Sequence, residues 1–114
     1  MKKIKDTLIL NPLAGNDPFE TVKDYSKTGR ESSVPLTIAL AIRDFIKDGF
    51  GATDKNITIL DSSHALRIIN AINSRKDGIL EIEDGDFDWL KLKLEQGGGK
   101  VFGMFLKLVM DALS

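Results

Sequence analysis

This chain is predicted to form a mostly α-helical small domain of three to four helices, with one or two short strands and an extended N-terminal arm. Two observations support this prediction. Apolar residues recur at intervals of three and four over much of the chain after residue 34. Turn-forming residues are dense before that point, as in the segment Asn11-Pro-Leu-Ala-Gly-Asn-Asp-Pro18. We therefore divide the chain into an N-terminal arm and loop, residues 1–33, and a helical domain, residues 34–114.

The composition is that of one globular domain. The chain has 114 residues, of which 42% are hydrophobic and 29% charged, which suffices for a single core. A net charge of -1 supplies no field for nucleic acid or anionic lipid, and the absence of cysteine excludes disulfides. The apolar segment Val101 to Leu113 is interrupted by Lys107 and Asp111 and is too short for a membrane span. We expect neither nucleic-acid nor membrane partners and no signal peptide.

The first helix is predicted from Val34 to Asp48. Ser33 can act as its N-cap, Pro35 falls in the first turn, and Gly49 can close the C-terminus. Apolar residues surround most of this helix, so a single buried stripe cannot accommodate them. We expect the helix to be central, or to be buried partly by a second subunit.

A second helix is predicted after Asp61 or Ser62, either of which can cap it, and it should stop near Lys76-Asp-Gly78. Its apolar residues, spaced by three and four, are Ala65, Leu66, Ile68, Ile69 and Ile72. The following Ile79-Leu-Glu-Ile82 is short, apolar and β-branched, which favours a brief extended segment.

Residues Asp88 to Gln96 fit both a helical and an alternating pattern, and we predict a helix. The Gly97-Gly-Gly99 that follows predicts a flexible break, and it lacks the Gly-Lys-Ser/Thr arrangement of a phosphate-binding loop. A last helix is predicted from Val101 to Ala112.

Four acidic residues, Asp84, Asp86, Asp88 and Glu95, occupy positions 1, 3, 5 and 12 of a calcium-loop pattern. Trp89, however, stands where such a loop needs glycine. The favoured interpretation is an acidic N-terminal helix turn, where the helix dipole stabilises negative charge. Calcium binding is kept as the less favoured alternative, and no cofactor is predicted.

No catalytic constellation is visible, so the chain is predicted not to be an enzyme. His64 is the single histidine, and we expect it to be a capping or surface residue in the first turn of the second helix. Asp61, Ser62 and Ser63 lie in the same turn as His64, where adjacent residues do not converge on one substrate.

The apolar helical surface is large for a chain of this length, which favours contact with a partner. For any one aromatic residue of the set, a place in the core is the favoured interpretation, because a small domain needs its large side chains inside. The candidate interface residues are Leu36, Leu40, Phe45, Trp89, Phe102, Phe105, Leu108 and Val109.

From His64 to Leu113 the chain resembles the C-terminal half of small proteins encoded by tailed bacteriophages and prophages, often among virion-assembly genes. The resemblance is carried by Ala65-Leu-Arg-Ile-Ile-Asn-Ala-Ile72, Gly78-Ile-Leu-Glu-Ile-Glu-Asp84 and Asp86-Phe-Asp-Trp-Leu-Lys91. It implies a non-enzymatic structural or assembly protein in the host cytoplasm or the virion, bound to itself or to another phage structural protein. The alternative is a small regulatory or counter-defence protein that binds a host factor or a small ligand.

Overall fold

The fold is taken from a computed structural model, which describes residues 1–19, 22–24, 32–51 and 57–113. Helices dominate this part of the chain, so the mostly α-helical prediction is confirmed. The four α-helices are α1 (Ile38–Lys47), α2 (Ile59–Asn73), α3 (Asp84–Phe102) and α4 (Leu106–Ala112).

Short strands form three antiparallel pairs within the described residues: β1 with β6, β2 with β3, and β4 with β5. The strands are β1 (Lys2–Lys5), β2 (Leu10–Asn11), β3 (Asp17–Pro18), β4 (Val22–Asp24), β5 (Ser32–Val34) and β6 (Ile79–Ile82). The extended segment predicted at residues 79–82 is thus confirmed as β6, although the strands outnumber the one or two that were predicted.

The pairing of β1 with β6 was not predicted. Ile4 lies opposite Leu80, and both side chains are buried. Ile9 is buried as well, so residues 2–9 of the predicted arm pack into the domain. Residues 20, 21 and 25–31 of that predicted arm lie outside the described residues.

Helix α1 begins at Ile38, so the prediction that it starts at Val34 was wrong. Val34 belongs to β5, and the proline that follows it disfavours helical geometry at the preceding residue. The N-cap is Thr37 instead of Ser33, and its side chain accepts a hydrogen bond from the backbone N–H of Leu40. The end of the helix lies one residue before the predicted Asp48.

Helix α2 begins earlier than predicted. Its N-cap is Thr58, which exchanges side-chain to backbone hydrogen bonds with Asp61 in a capping box. Asp61 therefore contributes to the cap from inside the helix, and the predicted start at Asp61 or Ser62 was wrong. Ile59, Leu60 and Asp61, which the prediction placed outside the helix, lie in its first turn.

Helix α3 contains the predicted helix at Asp88 to Gln96 and extends beyond it at both ends. The predicted flexible break at Gly97–Gly99 was wrong, because all three glycines are helical. The break falls at Gly103, whose φ of 57° and ψ of −134° suit a residue without a Cβ. A 3₁₀ turn, Gly103–Phe105, then leads into α4, so the single predicted helix from Val101 to Ala112 is divided.

Gly97 in α3 and Gly51 in the turn before α2 allow two backbone segments to pack closely. A Cβ added at Gly97 would overlap the carbonyl oxygen of Phe50, and a Cβ at Gly51 would overlap that of Gly97. The turn Gly49–Gly51 and α3 therefore meet backbone to backbone. Phe50 has a positive φ of 63° in this turn and packs its ring edge-on against Trp89.

One hydrophobic core lies between the helices and the β1–β6 pair. Its fully buried side chains include Ile38, Ile42, Phe45, Ile68, Ile72, Leu80, Leu90 and Leu94. None of the helices in the described ranges combines the length and the apolar character needed to cross a membrane.

Candidate functional site

A cluster of polar side chains joins α2 to α3. At its centre is Asp86, only 3% exposed. Its carboxylate accepts hydrogen bonds from Nε and Nη2 of Arg67, the shortest being 2.9 Å, and from Nδ1 of His64 at 2.6 Å. We call Asp61, His64, Arg67, Asp86 and Trp89 the α2–α3 cluster.

The electrostatics of this cluster keep Asp86 ionised. Burial by itself would raise the pKa of this carboxyl group, but the hydrogen bonds from Arg67 and His64 outweigh that effect, so the pKa lies below its ordinary value. The hydrogen bond to Asp86 in turn raises the pKa of Arg67. A buried carboxylate with a guanidinium held on two nitrogens is a strong, directional contact.

Trp89 extends the cluster toward the N-terminus of α2. Its ring stacks on that of His64, with centroids 5.3 Å apart and an interplanar angle of 16°. Its indole Nε1 donates to Oδ1 of Asp61 at 3.0 Å, and this hydrogen bond lowers the pKa of Asp61. The Nζ of Lys93 lies 3.4 Å from the same Oδ1 of Asp61. The capping box of α2 is thereby tied to the side of α3.

The hydrogen bonds of this cluster mainly fix α2 against α3. Asp86 orients His64 through Nδ1, as a carboxylate does in a catalytic dyad. The nearest hydroxyl in sequence, on Ser63, donates to the carbonyl oxygen of Ile59 at 3.0 Å and is engaged within its own helix. The contacts of the cluster therefore hold α2 on α3, and the hydroxyl of Ser63 is directed to Ile59 instead of His64.

The prediction for His64 was wrong in two respects. His64 lies in the second turn of α2, and its side chain is only 18% exposed, so it neither caps the helix nor lies on the surface. Its partner Asp86 is 22 residues away in sequence. The sequence signal that could have indicated this pair was weak. Asp86 lies in an acidic first helical turn, and the chain has a single histidine that could contact it.

The four residues of the calcium alternative lie along one helix. Asp84 and Asp86 are in the first turn of α3, as the acidic-turn interpretation predicts, although neither makes a side-chain hydrogen bond that caps the helix. Asp84 and Glu95 are separated by eleven residues, which is about 16 Å along a helix axis. Asp86 is occupied by Arg67 and His64. Over the described ranges, no group of three or more His, Asp or Glu side chains could hold a metal ion.

The predicted interface residues divide into two groups. Leu40, Phe45 and Val109 are at most 1% exposed and Trp89 is 9% exposed, so these four contact the chain's own core. The others, Leu36, Phe102, Phe105 and Leu108, are half-buried. Four of the eight predicted residues, Leu36, Phe102, Phe105 and Val109, line one cavity beside α1 and α4.

Large apolar side chains are exposed at several places in the described residues, among them Leu13 and Met104, and three of them lie on α2. Ile59 is 88% exposed, Leu60 67% and Leu66 62%. Ile59 and Leu66 are seven residues apart and share one line along the helix, with Ser63 between them. We call Ile59, Leu60, Ser63 and Leu66 the outer face of α2. The sequence pattern did not distinguish this face, because Leu66 was grouped with Ala65, Ile68, Ile69 and Ile72 in one apolar repeat.

No known protein family matches this chain, and no curated protein or solved structure is significantly similar to it. Its function is therefore inferred from its own surfaces.

Proposed function

We propose that this protein is a non-enzymatic assembly component that associates with a second copy of itself through the outer face of α2. The observation that carries the proposal is the exposure of Ile59, Leu60 and Leu66 on one helix. Large apolar side chains that a small domain leaves together in water mark interaction surfaces. None of the three belongs to the buried core of the described residues.

The outer face is suited to pairing about a two-fold axis. If α2 packs antiparallel on α2 of a second copy, with the axis near Ser63, Ile59 of each copy lies opposite Leu66 of the other. In an isologous dimer the same residues of both copies form the contact, as they do in this arrangement. Ser63 is small and its hydroxyl is already bonded to the carbonyl oxygen of Ile59, so the helices can approach without leaving a polar group unpaired.

The α2–α3 cluster makes this face rigid. Arg67 and His64 are fixed to Asp86, and Asp61 is fixed to Trp89, so the inner side of α2 is held at two successive turns. Rigid presentation of a surface lowers the entropy lost on association. Arg67 is 52% exposed beside Leu60 and Leu66 and would lie at the rim of the contact, where arginine is common in interfaces.

The resemblance of residues 64–113 to phage proteins from virion-assembly regions supports the same proposal, because assembly components act by contact between subunits. A location in the host cytoplasm or the virion belongs to this proposal. The alternative is a regulatory protein that binds a host factor or a ligand. The cavity beside α1 and α4 favours ligand binding within that alternative.

Light scattering across a hundredfold concentration range tests the proposal. We expect a dimer of the wild-type protein that dissociates on dilution, and a monomer of the double variant Ile59→Ser/Leu66→Ser at every concentration. The matched control is Met104→Ser, because Met104 is 77% exposed outside α2 and its loss should leave the dimer unchanged. A monomeric wild-type protein throughout the range would reject self-association, and a dimer that survives the double substitution would reject this face.

A further inference from the structure

A concave cavity opens between α1, the end of α3 and α4, away from the outer face of α2. Its volume is about 300 Å³, at the lower end of the range of small-molecule sites in proteins. The wall is largely aliphatic and aromatic and includes Ile9, Phe19, Leu36, Phe102, Phe105 and Val109. The ring of Phe19 packs edge-on against that of Phe105, with centroids 5.1 Å apart, so part of the wall is fixed by aromatic packing.

Two carboxylates complete the lining, one from Asp44 in α1 and one from Asp48, the residue that caps the end of α1. Asp44 and Asp48 are four residues apart and therefore project from the same side of the helix. Asp44 accepts two hydrogen bonds from Arg43, at 3.2 and 3.0 Å. The carboxylate of Asp48 has no hydrogen-bond or ion-pair partner among the described residues. Asp48 is also the C-cap of α1, where the helix dipole adds negative potential.

We propose that this cavity binds a small organic cation in which an ammonium group is joined to an aromatic or aliphatic body. The apolar wall buries the body of such a ligand, while Asp48 receives the ammonium group at the mouth. The rings of Phe102 and Phe105 offer further favourable surface to a cation. Apolar walls with one or two convergent polar groups are the usual composition of a ligand site, the polar groups fixing the orientation.

The charge distribution decides between ligand classes. A neutral apolar molecule would gain the burial but no electrostatic attraction from Asp48, whose carboxylate is exposed to solvent at the mouth. An anion would be repelled by Asp48 and by the C-terminus of α1, whereas the charge of Asp44 is offset by Arg43. A cation with an apolar body gains from both parts of the lining.

Three probes with the same phenyl body test the proposal: 2-phenylethylamine, 2-phenylethanol and 3-phenylpropanoate. Calorimetry should give the tightest binding for the amine, about 3- to 10-fold tighter than for the alcohol, as expected for one partly shielded ion pair. No binding of the anion is expected. Amide NMR shifts caused by the amine should concentrate at residues 41–48 and 101–109.

Two variants and one control locate the effect. Asp48→Asn should abolish the preference for amine over alcohol while the alcohol still binds, and Asp88→Asn, an equal charge change on exposed α3, should preserve the preference. Val101→Trp should fill the cavity and remove binding of both probes, provided that its circular dichroism matches that of the wild type. Equal affinity of amine and alcohol, an Asp48→Asn variant that retains the preference, or failure of the amine to bind the wild type would each overturn the proposal.

The cavity and the dimer surface can be tested separately. The Ile59→Ser/Leu66→Ser variant should bind 2-phenylethylamine as the wild type does, because neither substituted residue lines the cavity. Loss of amine binding in this variant would contradict a site formed by a single copy of the chain.

Discussion

Asp6 and Arg75, 69 residues apart in sequence, form a buried ion pair in which Nε of Arg75 donates to Oδ2 of Asp6 at 2.8 Å. The side chain of Arg75 is 10% exposed and that of Asp6 is 7% exposed. The other carboxylate oxygen of Asp6 accepts a hydrogen bond from the backbone N–H of Ala39, in the first turn of α1. One carboxylate thus holds the end of β1, the start of α1 and the end of α2 together.

We predict that Asp6→Ala lowers the free energy of unfolding by about 3 to 5 kcal/mol, because it removes the carboxylate of a buried ion pair, which also accepts the backbone N–H of Ala39. The measurement is urea unfolding followed by circular dichroism. The control is Asp111→Ala, which removes the equally short Lys107–Asp111 pair on the surface, where the side chains are 82% and 62% exposed. That change should cost about 0.5 kcal/mol or less. Equal losses in the two variants would contradict the prediction.

Gly97 and Gly99 should respond oppositely to alanine, although both lie in α3. Gly97→Ala forces a methyl group against the carbonyl oxygen of Phe50, so we expect a loss of about 1 to 3 kcal/mol or more. Gly99 is exposed, with no atom within 4 Å of an added Cβ, so Gly99→Ala should gain about 0.5 to 1 kcal/mol through helix propensity. Thermal unfolding of both variants checks the pair. Stabilisation by Gly97→Ala would mean that α3 and the Gly49–Gly51 turn do not meet as described.

The lowered pKa of Asp86 predicts a loss of stability in acid. A carboxyl group whose pKa is lower in the folded state stabilises the fold above its ordinary value of 3.8, and this contribution disappears as the pH falls through the folded-state pKa. Asp86→Asn should therefore cost about 1 to 3 kcal/mol at pH 7, and the cost should decrease progressively as the pH falls below 3.8. Denaturant midpoints of both proteins across this range provide the test. A difference that stays constant with pH would show that Asp86 acts through packing alone.

A double-mutant cycle can isolate the hydrogen bond from Trp89 to Asp61. Trp89→Phe and Asp61→Ala should be coupled by about 0.5 to 1.5 kcal/mol in the free energy of unfolding. Asp61→Ala also breaks the capping box with Thr58, but that loss occurs with and without Trp89 and cancels in the cycle. A coupling energy near zero would mean that the indole N–H is equally well satisfied by water.

The helices were more predictable than their ends. The apolar spacing of Leu90 and Leu94 predicts a helix, and α3 contains both. The ends depend on less local contacts. Pro35 was predicted to lie in the first turn of α1, but Val34 before it pairs with β4. Asp61 was predicted as a possible cap of α2, but it completes a capping box with Thr58, three residues earlier.

The α2–α3 cluster and the tightly packed glycines could not be predicted from local pattern. His64 and Asp86 meet only because α2 and α3 pack side by side, which is a tertiary relationship. A run such as Gly97–Gly99 normally predicts a linker, because glycine lowers helix propensity. Here the turn at Phe50 and Gly51 approaches so closely that larger residues at position 97 would clash, and tertiary packing overrides local preference.

The pairing of β1 with β6 also sets the order in which the chain can fold during synthesis. Lys5 pairs with Ile79 and Lys2 with Ile82, so paired residues are 74 to 80 positions apart. At about 5 to 20 residues per second, β1 leaves the ribosome roughly 4 to 16 s before its partner strand. During that interval its backbone is an open edge on which another nascent chain could pair. Three of its four residues, Lys2, Lys3 and Lys5, are lysines, and their repulsion of a second copy protects that edge until Ile79–Ile82 is available.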